Sequence, residues 1–146
     1  MNIDTLLSKH SDTYRFHGVR SATLQELISQ SQDGEIALYG TDHDEHVDNQ
    51  DFEFDAEYTQ GAGFLYVTSF RDVEMSFNEF CDEDGMVFVL EPVAADPFEF
   101  DHPSDRRQSI IKVEDWKVIG GLRPMFDEDG DLIEMEAFSL AEIGEM

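Results

Sequence analysis

Basic residues are what this 146-residue chain has least of. Three lysines and six arginines stand against 34 Asp and Glu, for a net charge of -25. Such a surface repels phosphates, which excludes a general nucleic-acid binder, and it equally disfavours docking on anionic membranes. The single cysteine, Cys81, excludes an internal disulfide and any multi-thiolate metal site, and suits a reducing compartment. Apolar runs are far too short to span a bilayer. The opening MNIDTLLSKHSD lacks the basic start and long apolar core of a signal peptide, so a cytoplasmic protein is expected. No linker and no internal repeat interrupts the chain.

Apolar residues are not scarce. They make up 40%, including twelve Phe, enough to exclude a disordered chain and to build one core in a single domain spanning 1–146. Long-range attraction to a basic protein is what so negative a field does best. The same charge, with so little lysine, also fits a saline habitat.

The charge is densest at residues 42–57, DHDEHVDNQDFEFDAE. Asp42, Asp44, Glu45, Asp48, Asp51, Glu53, Asp55 and Glu57 place eight carboxylates in sixteen residues, with no Lys or Arg nearer than Arg20 and Arg71. Phe52, Phe54 and Ala56 alternate with Asp51, Glu53, Asp55 and Glu57. This period of two describes a strand with one apolar face and one row of carboxylates about 7 Å apart. Such a row approximates the charge density of a nucleic-acid backbone; the plain alternative is an ordinary exposed strand face. The eight carboxylates are the candidate partner-binding residues.

Around this stretch the pattern reads as follows. Residues 1–10 form a short helix with Ile3, Leu6 and Leu7 on one face. YRFHGV is a strand, and Ser21 is the N-cap of a helix carrying Leu24, Leu27 and Ile28. Asp33-Gly34 ends that unit, and EIALY, residues 35–39, is a strand. Residues 58–63 are a turn, in which Gly61 and Gly63 are a poor phosphate-loop signal, since no Lys and no helix follow. FLYVTSF is a central strand buried on both faces. Residues 71–80 are a helix with Val73, Phe77 and Phe80 on one side. Residues 82–85 turn into the buried strand MVFVL. Pro92, Pro97 and Pro103 mark an irregular connection. Residues 106–123 hold five basic residues against two acidic ones; these are expected to pair with carboxylates inside the fold. Ile110, Ile111 and Val113, then Trp116, Val118 and Ile119, mark one or two strands, which Gly120-Gly121 breaks. Residues 123–137 form a hairpin turning at Asp129-Gly130, and the last residues make one helical turn. The fold expected is α+β: a mostly antiparallel sheet with two or three helices.

Familiar chemistries find little support. From Asp127, glycine falls at position four and Glu at position ten, not the six and twelve of a calcium loop; a turn is expected there and at Asp82. His43 and His46 with Asp42, Asp44 and Asp48 have metal-compatible spacing but no remote ligands. Cys81 is flanked by Asp82 and Glu83, which raise a thiol pKa and oppose nucleophilic use. Carboxylate pairs are so abundant that composition alone supplies them. No cofactor, no metal and no catalytic residue is expected.

Two resemblances bear on function. In size and charge the whole chain resembles the immunity proteins of bacterial toxin systems, and is similar to phage-encoded inhibitors that imitate DNA. That resemblance implies a non-enzymatic inhibitor of a basic protein, a toxin or an enzyme that handles nucleic acid. A rigid carboxylate row would fill a basic cleft through charge-assisted hydrogen bonds, with Phe52, Phe54 or Tyr58 as anchors. The second rests on Tyr14-Arg-Phe-His-Gly18 and Gly63-Phe-Leu-Tyr-Val-Thr-Ser69, which resemble the NAD-holding strands of ADP-ribosyltransferases. It implies NAD binding through Arg15 or His17. The family's catalytic Glu is missing at Gln108-Ser109-Ile110, while Glu134-Met135-Glu136 has the spacing.

Overall fold

The computed structural model describes residues 13–42, 57–102 and 105–146. The helix expected at residues 1–10 and most of the acidic stretch lie outside them.

Among the described residues every strand pairing is antiparallel. β1 (Arg15–Val19), β2 (Tyr39–Thr41), β3 (Tyr58–Gln60), β4 (Phe64–Thr68), β5 (Met86–Pro92), β8 (Trp116–Phe126) and β9 (Leu132–Ser139) lie in the order β3-β2-β4-β1-β5-β8-β9. β7 (Gln108–Lys112) lies along β4, and β6 (Glu99–Asp101) pairs with β7. Among the described residues three α-helices accompany the sheet: α1 (Ser21–Ser29), α2 (Val73–Phe80) and α3 (Leu140–Gly144). The architecture is the α+β one read from the sequence.

β5 shows why one sheet can carry two cores. Met86, Phe88 and Leu90 point to one face, where they meet Leu24 and Leu27 of α1 and Ile143 of α3. Val87 and Val89 point to the other, where they meet Phe16 of β1 and Phe77 of α2. Alternate side chains of a strand point to opposite faces, so a continuous apolar run suits a strand covered on both. Phe16, Phe77 and Phe88 are all 0% exposed. β4 is less symmetrical than expected: Leu65 and Val67 are buried, but Phe64 and Tyr66 only half so. Their outer neighbours are rings of an irregular connection, with Phe64 edge-on to Phe98 at 5.8 Å and Tyr66 against His102 at 5.5 Å.

Four local expectations are corrected. Residues 35–38 are not a strand; β2 begins at Tyr39. Asp33 and Gly34 both take positive φ, 55° and 76°, closing a tight turn that Gln32 and Glu35 bridge. The chain then drops Ile36 and Leu38 into the core without a ladder partner. Ser21 is the first residue of α1 rather than its cap. The N-cap is Arg20 with no side-chain bond, and the cap comes from another loop: Ser21 N and Oγ donate to the two oxygens of Asp82, at 3.0 and 3.2 Å. Tyr58, Thr59 and Gln60 are strand β3 and not turn. Gly120-Gly121 does not break β8, which runs through both. A Cβ on Gly121 would lie 2.2 Å from Met86 Sδ, so the glycine admits a buried methionine.

The remaining turns follow their sequence signals. Asp127 Oδ1 accepts from the N–H groups of Asp129 and Asp131, both at 2.9 Å, and Gly130 has φ 83°. That carboxylate is used by its own hairpin. Ser139 and Glu142 form a reciprocal capping box that starts α3.

Candidate functional site

β2 and β3 form a hairpin, pairing Tyr39 with Gln60, Gly40 with Thr59 and Thr41 with Tyr58. The ladder extends one step further. Asp42 N–H donates to the Glu57 carbonyl at 3.0 Å, and Glu57 N–H donates to Asp42 Oδ1 at 3.0 Å. Asp42 and Glu57, the two ends of the carboxylate-dense stretch, are thereby tied together at the outer edge of the sheet, and both are exposed. Asp44, Glu45, Asp48, Asp51, Glu53 and Asp55 lie outside the described residues, as do His43 and His46. β3 is the terminal strand of the order and all three of its residues are exposed, Tyr58 by 69%. The hairpin is held against the sheet by two glycines. Cβ atoms on Gly40 and Gly63 would sit 2.3 Å from the Ala62 carbonyl oxygen and 2.5 Å from that of Thr41, and Gly63 has φ 88°.

The scarce basic residues have separate occupations. Arg15 grips Glu99 with Nε and Nη2, the latter at 2.9 Å. Arg107 donates to both oxygens of Asp105 at 3.1 Å. These bonds, and the Arg107 backbone N–H, hold the Asp105 carboxyl down at about 2. Lys117 pairs with Glu91 at 3.2 Å. Lys112 lies 5.2 Å from the Phe98 ring centre, and Arg123 donates to the Gly85 and Asp84 carbonyls. Only part of the basic segment therefore pairs with carboxylates; Lys112 and Arg123 use rings and carbonyls instead.

Arg15 also borders a surface cleft of about 560 Å³ with Ser69, Arg71, Glu99, Arg106 and Arg107. β1 and β4 meet at the pair Phe16 and Thr68, which brings Arg15 and Ser69 to one place. His17 is half-buried, with its Nδ1–H donating to the Tyr66 carbonyl at 2.7 Å. Burial holds its pKa below the ordinary 6.5, against that bond. Glu134 and Glu136 are exposed on β9, three strand steps from β1, or about 14 Å at ordinary strand spacing.

Cys81 is buried, and its Sγ–H donates to the Asp82 carbonyl at 3.2 Å. Burial first, and the Asp82 charge second, push the thiol up to about 11. A thiol so raised is protonated at neutral pH, which opposes nucleophilic use. Among the described residues no group of three or more His, Cys, Asp and Glu is placed to hold a metal ion, and no helix is long and apolar enough to cross a membrane.

No protein family, curated protein or solved structure matches this chain.

What sequence reasoning missed here is pairing across distance. The Arg15–Glu99 grip joins residues 84 apart and has no local signal. That the acidic stretch begins and ends at one hairpin could have been read from the β-forming YGT before it and YTQ after it.

Proposed function

We propose that the protein is a non-enzymatic inhibitor that binds and neutralises a basic protein through the carboxylates of residues 42–57, as a toxin immunity protein does. The observation that carries this reading is the closed base of the acidic stretch: Asp42 and Glu57 are bonded to each other at an exposed edge of a sheet whose two faces are otherwise packed. A rigid base lowers the ordering cost of binding. A field of one sign speeds encounter and rejects like-charged partners. The partner is a toxin or a nucleic-acid-handling enzyme with a basic cleft; nucleic acid itself and anionic membranes are repelled. A phage-type inhibitor that imitates DNA would use the same surface, and the identity of the captured protein separates the two.

The test is capture from lysate of the source organism at low salt, followed by a salt gradient. A single basic protein released at a sharp step is expected. The triple variant Asp51→Lys, Glu53→Lys, Asp55→Lys should lose it by more than a hundredfold while melting as the parent does. Undiminished capture by the folded variant would remove the reading.

A second reading is favoured by one observation, the meeting of Arg15 and Ser69 at one cleft lined by Arg15, Arg71, Arg106 and Arg107 and by Asp72, Glu99 and Asp101. These two residues come from the two segments that resemble ADP-ribosyltransferases. With Glu134 and Glu136 strands away, this reading is of an NAD-binding protein without transfer chemistry. It expects saturable NAD binding by calorimetry, weakened about tenfold or more in Arg15→Ala once the guanidinium is gone. A flat titration of the parent protein disposes of it.

A further inference from the structure

Strand pairing fixes which side chains share a face, because directly paired residues point the same way. Tyr58 pairs with Thr41, Thr41 with Phe64, and Phe64 with Lys112. These four form one row across β3, β2, β4 and β7. Phe98, one residue before β6, extends it: its ring lies 5.8 Å from that of Phe64 and 5.1 Å from that of Phe100. Tyr58, Phe64, Phe98 and Phe100 thus place four aromatic rings on one side of the sheet.

That side is the one α2 packs on. Thr68 lies four residues along β4 from Phe64, on the same side, and its hydroxyl bonds that of Ser76 in α2 at 2.8 Å. At the other end of the strand Phe64 meets the Phe98 ring and Lys112 instead. Phe64 and Phe98 are half-buried, while Phe100 is 38% and Tyr58 69% exposed. Single exposed apolar residues need no explanation, but a run of them on one face marks a surface that meets something.

Two observations say what this strip fits. The first is Lys112, whose Nζ lies 5.2 Å from the Phe98 ring centre and 5.9 Å from that of Phe64. The chain's own cation sits on the two inner rings, so an incoming one would meet the outer pair, Tyr58 and Phe100. The second is the charge around the strip. Glu57 precedes Tyr58, Asp42 is bonded to Glu57, and Asp96 lies two residues before Phe98; all three are exposed. Aromatic anchors within a polar rim are the ordinary anatomy of a protein interface. With carboxylates as that rim, the matching group is a guanidinium, which stacks on ring faces and forks onto carboxylates. A second copy of the chain would instead oppose two surfaces of -25.

We propose that this strip is an anchoring surface for an arginine-rich face of a basic protein, whose guanidiniums stack on Tyr58 and Phe100 and bond to Asp42 and Glu57. The proposal rests on the inhibitor reading for the sign of the partner's charge. It adds the place on the sheet where that partner is held, and its preference for arginine over lysine.

The probes are hexa-arginine and hexalysine, peptides of equal charge, titrated by calorimetry at about 150 mM salt. The parent should bind hexa-arginine with half-saturation below about 1 mM and hexalysine more weakly. The double variant Tyr58→Ser, Phe100→Ser alters two exposed positions and should melt as the parent does. It should weaken hexa-arginine roughly tenfold, the worth of two exposed ring contacts, and hexalysine by no more than about threefold. Tyr58→Phe with Phe100→Tyr keeps both rings and should bind as the parent does. Asp51→Lys, Glu53→Lys, Asp55→Lys should weaken both peptides alike and keep the preference for arginine. Loss of the preference therefore reports on the rings, and loss of both peptides on the carboxylates of the inhibitor reading. Four outcomes would overturn the proposal. The parent binds neither peptide, the serine variant binds hexa-arginine as the parent does, or that variant weakens both peptides equally. The fourth is a parent that sediments as a dimer which the serine variant dissociates, since the occupant is then a second copy.

Discussion

His17 and Cys81 answer to the same physical cause with opposite shifts. Burial disfavours whichever form is charged, so it lowers the pKa of an imidazole and raises that of a thiol; His17 sits below 6.5 and Cys81 at about 11. Burial therefore favours the neutral form of both side chains near pH 7. The histidine has a consequence for stability. Because its folded pKa is depressed, the folded state binds fewer protons than the unfolded state once the pH falls below 6.5. Its contribution is therefore intact above 6.5 and is lost progressively as the pH falls toward the folded value. The carboxylates titrate lower and act on stability independently, so the comparison must be with a variant. The fall in melting temperature between pH 7 and pH 5.5 should be smaller in His17→Gln, whose amide can still donate to the Tyr66 carbonyl, than in the parent. Equal falls would mean that the ring is protonated in the fold.

At the scale of elements, two glycine-bearing dipeptides that each signal a break do different things. Asp129-Gly130 turns a hairpin, and Gly130 has the positive φ that such a turn needs. Gly120-Gly121 lies within β8, where the absence of a Cβ makes room for Met86. A breaker signal is local, whereas the reason for Gly121 is a side chain on the neighbouring strand, β5. Gly121→Ala is accordingly expected to destabilise by about 1–3 kcal/mol through overpacking, measured by denaturant unfolding. Full stability in that variant would show that Met86 can move aside. The strands FLYVT and MVFVL were legible because a short continuous apolar run bounded by turn residues is a property of the segment itself. The 35–38 stretch was not. Ile36 and Leu38 are as apolar as any strand residues, but their partners are core side chains and not a neighbouring ladder.

For the whole molecule, charge and core pull against each other. A net -25 repels itself in the compact state, and salt relieves that repulsion within a Debye length of about 8 Å at physiological ionic strength. The apolar layers on both faces of β5 supply the opposing term. The melting temperature should rise from 10 mM to about 150 mM salt as surface repulsion is screened. For an inhibitor it should then flatten, while affinity for the basic partner falls across the same range. A melting temperature that climbs steadily into molar salt, with no salt-sensitive partner, would instead identify a domain adapted to brine.

Sequence alone determined the charge, the α+β class and the run of apolar strands, because each depends on composition or on apolar patterning within one segment. Tertiary structure alone decided which distant residues meet. It joined Arg15 to Glu99, brought Asp82 to the start of α1 and tied Asp42 to Glu57 at a sheet edge. Those pairings are set by the order and register of strands, and register is a property of two segments at once.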